Sequence, residues 1–316
     1  MASVFSLLLF SSALLPTCGA SYILKSDYNY LNWFNSFIVE NIADPTGGYV
    51  EYVSQSEAQS SGLYKVSGNQ VYIGVDNTTT LSSTGTGRKS VRLSSGATYD
   101  SGLFIADFAH LPGGQCGSWP AYWLVGDDWP NNGEIDIMEG INAQSKNQHT
   151  IHSADGCIVE VGKYGETGTA GSATNCGAGG GYNGCTVFSN KANSYGTGFN
   201  SVDGGVMAMK WNSSVIKVWQ WPRASVPSDI TLGLPNPNLW GVPVANWAGC
   251  EFSDYFSNMN IMFDTTFCGD WAGNQWKSSS TCSKLASTCN EYVAANPTAF
   301  SDTYWLINYV KVYDEL

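Results

Sequence analysis

Short runs of alternating apolar and polar residues recur along the chain, and no segment of useful length shows helical periodicity. The clearest runs are residues 70–75, 90–93, 205–211, 215–219, 258–263 and 305–313. Alternation with a period of two is typical of strands that bury one face. The 35 glycines, 12 tryptophans and 17 tyrosines fit many short strands joined by tight turns. These features predict an all-β fold.

No proline- or serine-rich linker, charge block or internal repeat divides the chain. A large β-sandwich can reach this length as one unit, so residues 21–316 are predicted to form a single domain. The formal net charge of -12, with only 14 Lys and Arg, argues against nucleic acid or an anionic membrane as the partner. A neutral ligand fits better, although acidity also has the simpler meaning of solubility.

The N-terminal segment has the composition of a secretory signal. An apolar run covers residues 4–15, and the small-residue site Cys18-Gly19-Ala20 follows it. We expect residues 1–20 to be a signal peptide cleaved after Ala20, and the chain to be secreted. A membrane anchor is the alternative, but the run is too short to span a bilayer. Sequons at Asn77 and Asn212 agree with passage through the secretory pathway.

Removing that segment leaves an even number of cysteines, which in a secreted chain predicts up to four disulfides. The sequence does not choose among the pairings. Cys282 and Cys289 are plausible neighbours, and Cys176 and Cys185 bracket a glycine-rich segment that resembles a disulfide-tied loop. No CxxC pair or histidine cluster accompanies them, so no metal and no cofactor is predicted. The eight are Cys116, Cys157, Cys176, Cys185, Cys250, Cys268, Cys282 and Cys289.

Three carboxyl groups lie within six residues in the segment Glu134-Ile-Asp-Ile-Met-Glu139. Regular alternation puts Glu134 and Asp136 on one strand face and Glu139 on the other. A β-bulge at residues 137 and 138 would return Glu139 to the face of the other two, and bulges are frequent beside active sites. The alternative is an edge strand whose acids simply face water. With the bulge, the Glu134 and Glu139 carboxyls are predicted to lie roughly 5 to 6 Å apart, as retaining glycosidases require.

Aromatic residues are concentrated just before these acids. Alternation points Trp119 and Trp123 to one face and Tyr122 to the other, so the two indoles could form a floor beneath sugar rings. Trp129 and Trp271 occupy loop contexts that favour the same use. For each of these tryptophans the competing interpretation is core packing.

Together these segments resemble glycoside hydrolase family 16, and most closely its fungal laminarinase branch. The resemblance implies a β-jelly-roll sandwich of two antiparallel sheets with a concave substrate cleft. It also implies that Glu134 is the nucleophile, Asp136 its helper and Glu139 the acid/base. The matching segments are residues 117–124, 129–142, 150–153, 156–157 and 263–273, together with the C-terminal strand.

Two further residues are candidates for the cleft. By resemblance, His152 supports the acid/base and tunes its pKa, whereas His149 and His110 are interpreted as ordinary surface or core histidines. Arg92 shares a strand face with Arg88 and is a candidate hydrogen-bond donor to a glucosyl hydroxyl. A solvated strand face is the alternative for Arg92.

The predicted function is a secreted endo-β-1,3(4)-glucanase that acts on laminarin-type β-glucans by a retaining double displacement. The protein is expected to be a monomer whose partner is a β-glucan polysaccharide or oligosaccharide. A β-glucan transglycosylase, a non-catalytic β-glucan lectin and a structural wall protein are the alternatives. Both Glu134 and Glu139 are present, which disfavours the last two.

Overall fold

The computed structural model describes residues 22–160, 162–179 and 182–316, so the predicted signal peptide lies outside the described residues. Most of the regular structure is strand, as the alternation predicts. The strands are β1 (Tyr22–Asn29), β2 (Phe37–Val39), β3 (Val50–Tyr52), β4 (Tyr64–Ser67), β5 (Gln70–Gly74), β6 (Arg88–Ser90), β7 (Leu93–Tyr99), β8 (Gly102–His110), β9 (Ser118–Val125), β10 (Glu134–Glu139), β11 (Gln148–His152), β12 (Thr169–Ala170), β13 (Ala178–Gly179), β14 (Tyr182–Asn183), β15 (Cys185–Phe188), β16 (Gly205–Trp211), β17 (Val215–Pro222), β18 (Ala245–Ala248), β19 (Met259–Phe267) and β20 (Tyr304–Glu315).

Helices are short and lie in the connections between strands. The longest α-helix in the described ranges has seven residues; it begins after Thr288, whose hydroxyl accepts a hydrogen bond from the Glu291 amide. None of the described helices is long and apolar enough to cross a membrane. The α-helices are α1 (Trp33–Ser36), α2 (Gln55–Ser60), α3 (Gly196–Asn200), α4 (Ser228–Thr231) and α5 (Cys289–Ala295). The shorter turns are the 3-10 helices Arg223–Ser225, Pro237–Leu239, Phe252–Asp254, Cys282–Lys284 and Pro297–Phe300, and the π-helix Gly269–Gly273.

Two eight-stranded antiparallel sheets form the body of the protein. We name the sheet that carries the carboxylate strand the cleft sheet; its order is β12-β15-β11-β10-β9-β19-β7-β2. The back sheet has the order β18-β17-β16-β8-β20-β5-β4, with β1 paired to β20. The predicted all-β sandwich is therefore confirmed, and β10 lies near the middle of the cleft sheet.

An aromatic cluster joins the two sheets. Phe108 of the back sheet contacts Tyr122 of the cleft sheet edge to face, with ring centroids 5.5 Å apart. Tyr122 stacks on Phe263 at 4.8 Å, and Phe263 meets Trp305 of the back sheet at 5.5 Å. Such edge-to-face and offset contacts add to the apolar burial of the rings. Because Tyr122 fills this core, its neighbours Trp119 and Trp123 point the other way, as alternation predicts.

The eight cysteines in the described part of the chain all form disulfides. The predicted loop closure by Cys176 and Cys185 is confirmed. Cys282 and Cys289, which the sequence suggests as plausible neighbours, share one buried cluster but bond to other partners and not to each other. Each begins its own short helix. The remaining bonds are Cys116–Cys282, Cys268–Cys289 and Cys157–Cys250.

Candidate active site

The carboxylate strand β10 contains the predicted bulge. Against β9, Asp136 pairs with Trp123 and Met138 with Tyr122, so Ile137 has no opposite residue. Against β11, the register shifts between Asp136 and Glu139. Both Ile137 and Met138 are buried in the core. The extra residue therefore returns Glu139 to the cleft face that carries Asp136 and Trp123.

Glu139 is 8% exposed and bonded to a tryptophan. The Trp119 indole nitrogen donates to Glu139 Oε1 at 2.7 Å. Burial raises the pKa of Glu139 well above the usual carboxyl range, and the nearby Asp136 adds to the rise, while the Trp119 bond opposes it. Such an environment favours a protonated carboxyl group near neutral pH, which is what a general acid needs.

Asp136 is the most deeply buried of the three acids. Burial raises the pKa of Asp136 well above its ordinary value, and the adjacent Glu134 carboxyl raises it further. The Trp129 indole nitrogen, on a side chain that is 53% exposed, donates to Glu134 Oε2 at 2.5 Å. Trp129 therefore lies at the cleft surface. The raised pKa of Asp136 means that this carboxyl, rather than Glu134, is favoured to hold a proton that the two share.

His152 lies on β11 directly opposite Glu134, with its Nε2 atom 3.5 Å from Asp136 Oδ2. It is thus closer to the Glu134 end of the strand than its predicted support of Glu139 suggests, although it also lowers the pKa of Glu139. Glu134, Asp136 and His152 each have one possible metal-ligand atom within 4.8 Å of the others. The same three groups can equally share protons and hydrogen bonds.

Arg92 is buried beside the cleft and forms two ion pairs. Its Nε donates to Glu40 at 2.7 Å and its Nη1 to Asp264 at 2.6 Å. Its guanidinium also lies over the Trp123 ring, 5.0 Å from the centroid. Arg92 therefore does not lie on a solvated strand face, which was one of the two predicted alternatives, and instead it supports Trp123. The other alternative, a hydrogen bond from Arg92 to a sugar hydroxyl, stays a prediction.

A groove of about 460 Å³ continues from the Glu139 end of the strand. Trp271 lies at its wall and meets Trp119 edge to face at 5.4 Å. An aromatic face rimmed by amides and hydroxyls suits a sugar ring, which offers both C–H groups and hydroxyls. The lining residues are Ile141, Asn142, Ala143, Gln144, Trp271, Gln275 and Ser278 to Thr281.

Two buried side chains beside the bulge were not found from the sequence. Asn147 bonds to the backbone of both Ile137 and Glu139, and His149 bonds to Ile137. The interpretation of His149 as an ordinary core histidine agrees with its burial but does not include this contact. Only the pairing of β10 with β11 brings these residues to the bulge, and local sequence does not contain that register.

The fold, the bulged strand and its tryptophans define a class of protein. The family description "XgeA-like, catalytic GH16 domain" matches residues 37–313. The chain therefore belongs to glycoside hydrolase family 16, as the resemblance predicts.

The curated relatives are fungal. The chain is 45% identical to a probable endo-1,3(4)-beta-glucanase of Aspergillus niger, over 98% of this chain and 42% of that protein. It is 42% identical to an endo-1,3(4)-beta-glucanase of Arthroderma benhamiae, over 98% of this chain and 68% of the relative. The chain thus spans less than half of the first relative and about two thirds of the second.

Solved structures agree over nearly the whole described chain. An elongating family 16 beta-1,3-glucosyltransferase matches with a TM-score of 0.87 and 43% identity, covering 93% of this chain and all of that one. A laminarinase from Phanerochaete chrysosporium, solved with beta-glucans in donor and acceptor sites, matches with a TM-score of 0.85 and 40% identity. That match covers 93% of this chain and 99% of the other.

Proposed function

We propose that this protein is an endo-β-1,3(4)-glucanase of the laminarinase type that cleaves β-glucans with retention of configuration. The observation that carries the proposal is the bulged strand, because it gathers Glu134, Asp136 and Glu139 on one cleft face. The names of the fungal relatives support the substrate class. The tryptophans around the acids suit stacking against glucosyl rings.

In the proposed mechanism, Glu134 attacks the anomeric carbon while Glu139 donates a proton to the leaving oxygen. A glycosyl-enzyme intermediate forms, and Glu139, now ionised, takes a proton from the water that releases the sugar. The raised pKa of Glu139 suits the first step. Asp136 would hold a proton beside Glu134 and so limit the repulsion between the two groups. Retention requires the Glu134 and Glu139 carboxyls to lie about 5 to 5.5 Å apart.

Hydrolysis can be tested with laminarin, lichenan and xyloglucan, with release of reducing ends as the measurement. We expect laminarin and lichenan to be cleaved and the β-anomer to appear first by proton NMR. Glu134→Ser should lower activity at least about 1000-fold, the range of nucleophile losses, while glucan binding persists. Glu251→Ser, at an exposed loop glutamate, is the matched control. Absence of cleavage of all three glucans by the wild type, or first appearance of the α-anomer, would contradict the proposal.

Transglycosylation is the second candidate, favoured by the similarity to the elongating glucosyltransferase. In that case another glucan chain, rather than water, accepts the glycosyl unit from Glu134. Incubation with a single laminari-oligosaccharide separates the two outcomes. Each transfer releases one shorter product and forms one longer product, so the two in about equal amounts with no net gain of reducing ends would favour transfer, whereas shorter products alone would favour hydrolysis.

We also infer that residues 21–316 act as one secreted catalytic domain and as a monomer, with residues 1–20 as the signal peptide. Four disulfides suit an oxidising compartment. N-terminal sequencing of the protein recovered from culture medium should begin at Ser21. Size-exclusion chromatography with light scattering should give the mass of one chain.

A further inference from the structure

The bulge leaves two backbone groups of β10 to be satisfied by side chains. The Ile137 carbonyl accepts hydrogen bonds from Asn147 Nδ2 at 3.1 Å and from His149 Nδ1 at 2.7 Å. The Glu139 amide donates to Asn147 Oδ1 at 3.0 Å. An unpaired buried backbone group is costly, so these bonds stabilise the irregular backbone that a regular strand partner cannot pair.

Asn147 is itself held firmly in the core. It is fully buried, its own amide donates to Ser194 Oγ at 3.0 Å, and its carbonyl accepts from the Ser189 amide at 2.9 Å. The side chain thus has little freedom to rotate. The single side-chain amide of Asn147 thus holds both the Ile137 carbonyl at the bulge and the Glu139 amide at the end of β10.

His149 is also fully buried and donates rather than accepts. A carbonyl oxygen can only accept, so Nδ1 of His149 carries the proton. Burial lowers the pKa of His149 to about 4, which keeps the ring neutral and in this tautomer above that pH. The bond to Ile137 therefore persists in weakly acidic and neutral solution.

We propose that Asn147 and His149 are positioning residues that hold Glu139 in the orientation needed for proton transfer. The proposal rests on the proposed acid/base role of Glu139. A loss of the bulge would turn Glu139 toward the core, because a shift of one residue exchanges strand faces. Smaller displacements also matter, since misplacement of a reacting group by about 1 Å can cost a hundredfold in rate.

The experiment compares two substrates that differ in their need for an acid. Laminarin has an alcohol leaving group that must be protonated, whereas a nitrophenyl glycoside of a β-1,3-gluco-oligosaccharide releases a stable anion without one. For Asn147→Ala and His149→Phe we expect kcat/KM on laminarin to fall about 10- to 100-fold, within the range of general acid catalysis. On the nitrophenyl substrate, kcat/KM should stay within about threefold, and KM for laminarin should change little, because substrate binding is untouched.

Two matched controls remove side-chain hydrogen bonds to backbone groups at a site away from the bulge. Asn200 Oδ1 and Nδ2 bond both backbone groups of Leu111, and His110 Nδ1 lies 2.8 Å from the Tyr304 carbonyl. Neither residue contacts β10 in the bonds formed by the described chain. Asn200→Ala and His110→Phe should therefore lose stability without changing the ratio of the two activities. His149→Asn retains a donor near the Nδ1 position and should recover at least about tenfold of the activity lost in His149→Phe, a bond worth about 1.4 kcal/mol.

Equal losses on both substrates, or a ratio no different from that of the controls, would overturn the positioning role. Circular dichroism and thermal unfolding establish that each variant is folded at the assay temperature. Should His149→Phe or Asn147→Ala not fold, Asn147→Asp supplies the comparison, because it keeps the acceptor for the Glu139 amide and loses the donor to the Ile137 carbonyl. A wild type that cleaves neither substrate would instead refute the proposed function.

Discussion

Two side chains act on the proton affinity of Glu139 in opposite directions. The Trp119 indole donates a hydrogen bond to the carboxylate and so favours its ionised form, whereas Asp136, when it is itself ionised, disfavours that form. Burial shifts the balance further toward the protonated form. The pKa of Glu139 therefore depends on its burial, on Trp119 of the neighbouring strand β9 and on Asp136 of its own strand.

This balance makes a pH prediction with opposite signs for two variants. In the proposed mechanism only protonated Glu139 acts as the acid, so its pKa should set the basic limb of the kcat/KM profile. Trp119→Phe removes an interaction that lowers the pKa, so the basic limb should move to higher pH. Asp136 raises the pKa of Glu139 once its own carboxyl ionises as the pH rises, and the amide of Asp136→Asn cannot do so, so the limb should move to lower pH. Profiles measured on laminarin over the stable pH range test both.

Trp271→Phe is the control for these variants. Trp271 contacts the ring of Trp119, but the hydrogen bond to Glu139 comes from Trp119, so this substitution should leave the basic limb in place. A lower activity is expected in each variant, but it does not affect the pH at which the basic limb lies. Shifts of the same sign in Trp119→Phe and Asp136→Asn would show that another group controls the basic limb.

At the level of the element, alternation was sufficient to predict the bulge but not what holds it. The faces of Glu134, Asp136 and Glu139 follow from counting along one strand, and the odd number of steps to Glu139 requires an extra residue. Asn147 and His149 belong to a different strand segment. Their approach to Ile137 depends on the register of β10 against β11, which is fixed by tertiary packing and is not written in either segment alone.

The turn before β10 offers a stability test. Gly133 has a φ of 77°, and a Cβ there would lie 2.3 Å from Phe256 Cδ1 and 2.8 Å from the Tyr255 carbonyl. Gly133→Ala therefore combines backbone strain with a clash, and we expect a loss of about 3 kcal/mol in the free energy of unfolding. Because Glu134 follows directly, activity on laminarin should fall as well. Urea denaturation and the laminarin assay measure the two effects.

Gly68→Ala is the matched control. Gly68 has a similar φ of 63°, but nothing lies within 4 Å of a Cβ at that position. Its substitution should cost only about 1 kcal/mol, the price of the left-handed backbone alone, with unchanged activity. Equal losses in the two variants would mean that Phe256 and Tyr255 move aside and that the clash contributes nothing.

On the scale of the whole molecule, the sequence indicated the fold class and the composition of the cleft, but not the order of strands. β9 and β19 are adjacent in the cleft sheet although more than a hundred residues separate them in sequence. Disulfide pairing likewise depends on the three-dimensional arrangement of the strands rather than on distance along the chain. Cys282 and Cys289 are close along the chain, yet the fold pairs them with Cys116 and Cys268, which are more distant in sequence.

The three-dimensional pairing predicts how strongly each disulfide stabilises the fold. A crosslink restricts the unfolded chain more when it closes a longer loop. Cys176–Cys185 closes a separation of 9 residues, Cys268–Cys289 one of 21 and Cys116–Cys282 one of 166. In the chain-entropy description, the shortest contributes about 3 kcal/mol and the longest about 5. The Cys157–Cys250 bond shortens the effective loop of Cys116–Cys282, but that loop still exceeds the other two.

Pairwise Cys→Ala variants should therefore lose unfolding free energy in the order Cys116/Cys282, then Cys268/Cys289, then Cys176/Cys185. Guanidinium denaturation of the three double variants, with the remaining disulfides verified by mass spectrometry, measures the order. The Cys116/Cys282 and Cys268/Cys289 variants lose partners in the same buried cluster, so packing losses are comparable between them and loop length accounts for the difference. A reversed order for these two would mean that native-state packing, rather than unfolded-chain entropy, determines what each bond contributes.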